Sequence, residues 1–228
     1  MAEPYMTFWY APWFAVAFVP LTFLPQPVLT VAWSATLLAA TLGVGWTLWR
    51  MGGAPAKFLA LMTVPALFAV SAGGNVQPLM VLGLLVGLHR RSGPLWVAIA
   101  ASLKFTPILF VLDLVYLARR DWRRAAVTLL LTAVLVVPAF LLGLPLGRAT
   151  DWAEAAPSLL AWGPWTYGAV VGAACLVAVI GPKRFAPLAA ASAVILALPR
   201  LFVYDVTLIA AAAARPPVEA VDGSRGDP

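Results

Sequence analysis

Long apolar blocks separated by short basic clusters run through the sequence from Tyr10 to Ala214. Within a block, polar residues do not alternate with apolar ones. The pattern therefore predicts membrane helices rather than the strands of a barrel. Residues 28–49 predict one full span that runs inward to Arg50. Ala125 to Leu142 predicts a span running outward, and Trp165 to Gly181 one that returns. Tyr10 to Leu24, with Pro12 and Pro20, predicts a short element lying in the outer interface or re-entering from it. Residues 143–164 predict an outer loop. Residues 1–214 are read as a single transmembrane domain, and the polar residues 215–228 as a disordered cytoplasmic tail.

The basic residues set the direction of these elements. All but Lys104, Arg148 and Arg200 of the 15 Lys and Arg residues fall at the ends of apolar blocks or in the tail. Placing that majority in the cytoplasm satisfies the positive-inside tendency. The segment between Lys57 and Arg90 must then leave the cytoplasm and return, which two ordinary spans would need roughly 40 residues to do. Residues 58–89 are fewer than that, and Gly73-Gly74-Asn75-Val76-Gln77-Pro78 interrupts them. The segment from Arg91 to Arg119 is interrupted at Lys104 and Pro107, and that from Lys183 to Arg215 at Pro199 through Asp205. The expectation is an all-α, polytopic integral membrane protein with three broken or re-entrant hairpins that turn near the outer half of the membrane. Irregular backbone at that depth is tolerated only where protein or a water-filled cavity surrounds it. The polar residues of the three turns are thus expected to converge on one polar site.

Composition agrees with a membrane protein. The chain is 63% hydrophobic and 11% charged, with a mean hydropathy of +0.93, which no water-soluble domain of its 228 residues approaches. Its 20 prolines and 17 glycines fit broken helices better than plain spans. Several of the 10 tryptophans lie at block ends, as an interfacial belt requires. The net charge of +6 comes from dispersed loop residues and is explained by topology, so no nucleic-acid partner is expected. Cys175 is the single cysteine and forms no internal disulfide. Met1-Ala-Glu-Pro lacks the basic start of a secretory signal. No metal-ligand spacing, nucleophile elbow or phosphate-binding loop occurs, so neither metal nor cofactor is expected.

Lys104 is the sharpest candidate. A charge at mid-membrane costs about 3 kcal/mol even on insertion scales, and Lys104 is too far from either basic flank to snorkel to the cytoplasmic side. In an enclosed outer site it suits an anionic ligand such as a phosphate. Asn75 and Gln77 are read both as caps of the helix starting at Pro78 and as ligand contacts. Arg200 and Asp205 are read as a structural ion pair across the turn or as part of the site, and Tyr204 as an anchor or a site residue. Asp113 is expected to pair with the basic residues near Arg119, and Asp151 and Glu154 to be solvated in the outer loop.

Four stretches resemble the GT-C class of polytopic glycosyltransferases, and within it glycosyltransferase family 87. Trp9-Tyr10-Ala-Pro with Leu24-Pro25 resembles the family's Tyr-x-Pro segment ahead of a Leu-Pro turn. Gly74-Asn75-Val76-Gln77-Pro78-Leu79 resembles its Gly-Gln-x-Asn-x-Leu motif, with Asn and Gln exchanged. Ala100 to Pro107 resembles its Ala-rich helix ending in Lys-x-x-Pro. Leu198-Pro199-Arg200 through Tyr204-Asp205 resembles its late turn, with leucine in place of serine. The resemblance implies sugar transfer, such as of mannose or arabinofuranose, from a polyprenyl-phosphate donor to a glycan or glycolipid acceptor at the outer face of the cell membrane. It implies Lys104 and Arg200 as donor-phosphate ligands, and Asn75, Gln77, Tyr204, Asp205 and Tyr10 as substrate contacts. Asp205 or Asp151 is a candidate base in place of the acidic residue that the class carries on its first outer loop. The chain starts at the Tyr-x-Pro segment, so that loop and its helix are expected to be lacking, and the sequence reads as the last two thirds of such an enzyme. The competing reading is a transporter or lipid flippase with a buried anionic-ligand site, which broken helices also serve.

Overall fold

The computed structural model describes residues 12–112, 121–141, 158–182, 184–198 and 201–214, and these are helices joined by short turns and breaks, with no strand among them. The α-helices are α1 (Pro12–Phe18), α2 (Gln26–Met51), α3 (Gly53–Ala72), α4 (Gln77–Gly87), α5 (Gly93–Leu103), α6 (Trp122–Leu141), α7 (Pro164–Ile180) and α8 (Ala186–Leu196). Four 3-10 segments accompany them, at Val19–Phe23, Thr106–Phe110, Leu159–Trp162 and Val203–Ala213.

Among the described residues two helices, α2 and α3, are long and apolar enough to cross a membrane. They form one antiparallel pair. The turn between them is made by Gly52 and Gly53, whose φ values of +70° and +79° lie in the left-handed region that other residues avoid. Each helix turns a narrow stripe inward: Leu37, Thr41, Val44 and Leu48 on α2, then Ala56, Ala60, Thr63 and Leu67 on α3. That spacing of three and four residues keeps one face against the neighbour. The Thr41 and Ser71 hydroxyls lie 3.1 Å apart across the pair, each also within reach of a carbonyl one turn back, so that one donates across and the other to its own helix. The outward faces carry exposed Leu42, Trp46, Phe58, Leu61 and Phe68. Apolar exposure on this scale suits a hydrocarbon solvent, not water.

The interior belongs to shorter elements. Helix α4 is buried almost all round, and Gly83 and Gly87 leave room for the Trp96 ring of α5; a Cβ at Gly87 would lie 2.0 Å from that ring. Helix α8 is rich in alanine, which lets it approach α7 and the 203–213 segment closely. That segment packs in turn on α3, α4 and α8.

The breaks fall where the sequence places them, but the arms are unequal. The 57–90 segment was expected as two short arms. Instead α3 is a full 20 residues, because it starts at the Gly52 turn ahead of Lys57, and α4 has only 11. The second arms of the other two hairpins begin as 3-10 turns rather than α-helix, after Lys104 and after Phe202. Tyr10 to Leu24 resolves from Pro12 onward into α1 and a 3-10 turn with Pro20 at its start, held to α2 by contact of Phe14 and Phe18 with Trp33. Tyr10, Asp113, Arg119, Asp151, Glu154, Arg200 and the 215–228 tail lie outside the described residues.

Candidate functional site

The first break, Gly73 to Val76, ends α3 and starts α4. Gly74 takes a φ of +72°, and its carbonyl accepts the indole N–H of Trp33 at 3.2 Å, which ties the break to the start of α2. Asn75 is a cap: its Oδ1 accepts the backbone N–H of Gln77 at 2.9 Å, satisfying one free donor of the α4 N-terminus. Gln77 is fully buried and aims across the molecule. Its Nε2 lies 3.4 Å from the carbonyl of Tyr204 and 3.3 Å from Oγ1 of Thr207, while its Oε1 has no partner.

The second break follows α5. The N–H of Lys104 still bonds the carbonyl of Ala100 at 2.8 Å, but its φ and ψ of −140° and 106° are extended. The chain therefore turns out of the helix at this residue, ahead of Pro107, which cannot donate to a helix. Ser102, one turn's edge away, accepts the indole N–H of Trp13 from α1 at 3.1 Å. Thr106 is buried, and its hydroxyl has no partner.

The third break supplies the acid. Asp205 is 1% exposed, and its Oδ2 accepts the N–H of Phe202 at 3.0 Å, closing the first turn of the 203–213 segment. Its Oδ1 takes the ammonium of Lys104 in a direct ion pair, across 101 residues of sequence. The Lys104 Nζ also stands 4.7 Å above the centre of the Tyr204 ring, which itself stacks on Phe202 at 5.2 Å. The Lys104 side chain retains 17% exposure, so the lysine is mostly enclosed while its ammonium is fixed by the carboxylate and the ring.

Gln77, Lys104, Tyr204 and Asp205 are thus brought together from three breaks, and Asn75 sits behind Gln77 as its cap. Asp205 takes Lys104 as a partner, and the alternative reading of a pair with Arg200 falls outside the described residues, as does Tyr10. Thr207 belongs to the cluster through Gln77 and was not singled out by sequence; an isolated hydroxyl in an apolar run was the available signal. No cluster of three metal-binding side chains occurs among the described residues.

The arrangement can hold an anion. A lysine fixed by a carboxylate and an aromatic face is preorganised, and it keeps ammonium protons that neither partner engages. The buried unpartnered oxygens of Gln77 and Thr106 are costly in an apolar medium unless a ligand hydroxyl meets them. The sequence model of glycosyltransferase family 87 matches residues 8–221 of the chain. No curated protein and no solved structure matches it.

Proposed function

The chain belongs to glycosyltransferase family 87, and from that premise we propose that it moves a sugar from a polyprenyl-phosphate donor at the Lys104 cluster. The reading places the cluster at the outer face of a multi-pass cell-membrane domain, with mannose or arabinofuranose as the sugar and a glycan or glycolipid as acceptor. The observation that carries it is the Lys104 ammonium held at a helix break by the Asp205 carboxylate and the Tyr204 ring.

In the transfer, the acceptor oxygen attacks the anomeric carbon and gives up its proton to water, the carbon–oxygen bond to phosphate breaks, and polyprenyl phosphate leaves with one more negative charge. Lys104 faces that charge as it develops, which is where a preorganised cation has most effect. Asp205 positions Lys104. At 1% exposure, with both oxygens engaged, it touches no substrate and is better placed to orient the lysine than to take a proton from an acceptor. Gln77 Oε1 and the Thr106 hydroxyl offer contacts to sugar hydroxyls. Tyr10 and Arg200 enter as further donor contacts on the strength of the family resemblance alone. No cofactor or metal takes part in this scheme.

The test is transfer of radiolabelled sugar from synthetic polyprenyl-phosphate mannose and arabinofuranose in membranes carrying the chain. The variant to compare is Lys104→Met with Asp205→Leu, which removes both charges together and so leaves neither one buried alone. Loss of transfer by about 10²-fold or more is expected. Unchanged transfer in this variant rejects the site.

A further inference from the structure

A second place suited to a ligand lies at the other end of α2 and α3. Between these two helices runs an apolar groove of about 500 Å³, lined by Leu42, Gly45, Trp46, Trp49, Leu61 and Val64 among others. Its volume falls within the roughly 300–1,000 Å³ of ligand-sized pockets. Gly45 lets the helices approach: a Cβ there would come within 2.9 Å of the Val64 side chain. The tryptophans and Leu61 form its outer walls and are largely exposed.

Two cations stand over one end. The Arg50 guanidinium lies 5.6 Å from the centre of the Trp46 ring, and the Lys57 ammonium 5.1 Å from that of Trp49. Both side chains are exposed, and among the described residues neither is paired with a carboxylate. The rings rest under the cations and also wall the groove, so they join a charged mouth to an apolar trough. An occupant has to satisfy both parts. An anionic phospholipid has them in the right order, with a negative headgroup above an acyl chain, and basic sites between helices at an interface recruit such lipids.

We propose that the α2–α3 groove binds an anionic phospholipid, one acyl chain lying against Leu42, Gly45 and Val64, and its phosphate held by Arg50 and Lys57. The site is separate from the Lys104 cluster. The Gly74 carbonyl and the Trp33 indole close the opposite end of the helix pair, and the helix from Lys57 to Ala72 is about 22 Å long. The lipid holds the α2–α3 turn at the basic face of the membrane. A zwitterionic lipid fits the trough equally well, but its own ammonium competes for the phosphate, so the headgroup decides the preference.

Native mass spectrometry of the full chain, in micelles containing equimolar phosphatidylglycerol and phosphatidylcholine with matched acyl chains, tests this without any dependence on sugar transfer. Phosphatidylglycerol adducts are expected to exceed phosphatidylcholine adducts by about tenfold or more, and Arg50→Gln and Lys57→Gln each to lower the ratio about fivefold. Leu61→Trp, which narrows the groove, lowers retention of both lipids. The exchange Arg50→Lys with Lys57→Arg keeps the preference and serves as the folding control. Equal retention of the two lipids by the unaltered chain overturns the proposal. So does a preference that survives the double glutamine variant, or full lipid retention in Leu61→Trp.

Discussion

The cations at the two ends of the α2–α3 pair are held in opposite ways. Arg50 and Lys57 are exposed and rest on tryptophan faces, with no carboxylate near them among the described residues. Lys104 is largely buried against a carboxylate that is buried completely. The two arrangements differ in what happens when the charge is removed. An exposed cation on an aromatic ring contributes about 0.5–1 kcal/mol and leaves nothing stranded when it goes. Removing one member of the buried pair leaves the other uncompensated, which costs about 3–5 kcal/mol. One end of the molecule can therefore be altered without the fold answering, and the other cannot.

The largest effect should come from splitting the buried pair. Asp205→Asn alone is expected to destabilise the protein by about 3–5 kcal/mol, and Lys104→Met with Asp205→Leu by much less, in denaturant unfolding from detergent. A single variant no worse than the double would show that the pair is not desolvated, and the contrast between the two ends would collapse. Next in size is the interior packing that delivers the breaks. Gly87→Ala drives a Cβ into the Trp96 ring and is expected to lower stability by about 1–3 kcal/mol on the same measurement, whereas Gly168→Ala, with nothing near it, should be neutral or slightly stabilising. Gln77→Leu sharpens the comparison further. It gives up two long hydrogen bonds but also an unpartnered oxygen, so the loss should stay at about 1 kcal/mol or below, while sugar transfer falls if that oxygen meets substrate.

The smallest effect is a pH dependence at the basic end. His89 sits in the turn between α4 and α5, and burial, followed by the nearby Arg124 charge, holds its pKa below the usual histidine value, partly offset by a hydrogen bond with the Ala214 backbone. The unfolded chain therefore binds the proton more readily than the folded one. Stability should be constant above pH 6.5 and fall as the pH drops below it, with a slope of at most about 1.4 kcal/mol per pH unit. His89→Gln should flatten that slope in thermal unfolding scans from pH 5 to 8.

The sequence made some of this legible and hid the rest. The helical class, the span over residues 28–49, which the structure extends to 26–51, and the three breaks followed from block length and from Gly, Pro and Lys positions, which act locally. The cap at Asn75 was legible for the same reason. The meeting of the three breaks followed from a physical demand, since irregular apolar-flanked backbone needs company. What that demand could not supply was the pairing. Nothing near Lys104 or Asp205 in sequence says that they find each other over 101 residues, and Arg200, five positions from the acid, was the nearer choice. The conformation of Val203–Ala213 was hidden too, because an alanine-rich apolar run carries the same pattern whether it winds as an α-helix or more tightly.

That winding sets a length. Eleven residues in 3-10 form rise about 22 Å, some 5 Å more than the same residues would in an α-helix, and runs of this extent are uncommon. Asp205 stands in the first turn of the stretched segment, and its far end lies against α8 and the start of α3. The segment is a ruler: wound as an α-helix, it would shorten the distance between Ala214 and the acid, drawing Asp205 away from the lysine it holds. The reach of one ammonium is thereby tied to the pitch of a backbone that ends at the opposite side of the molecule.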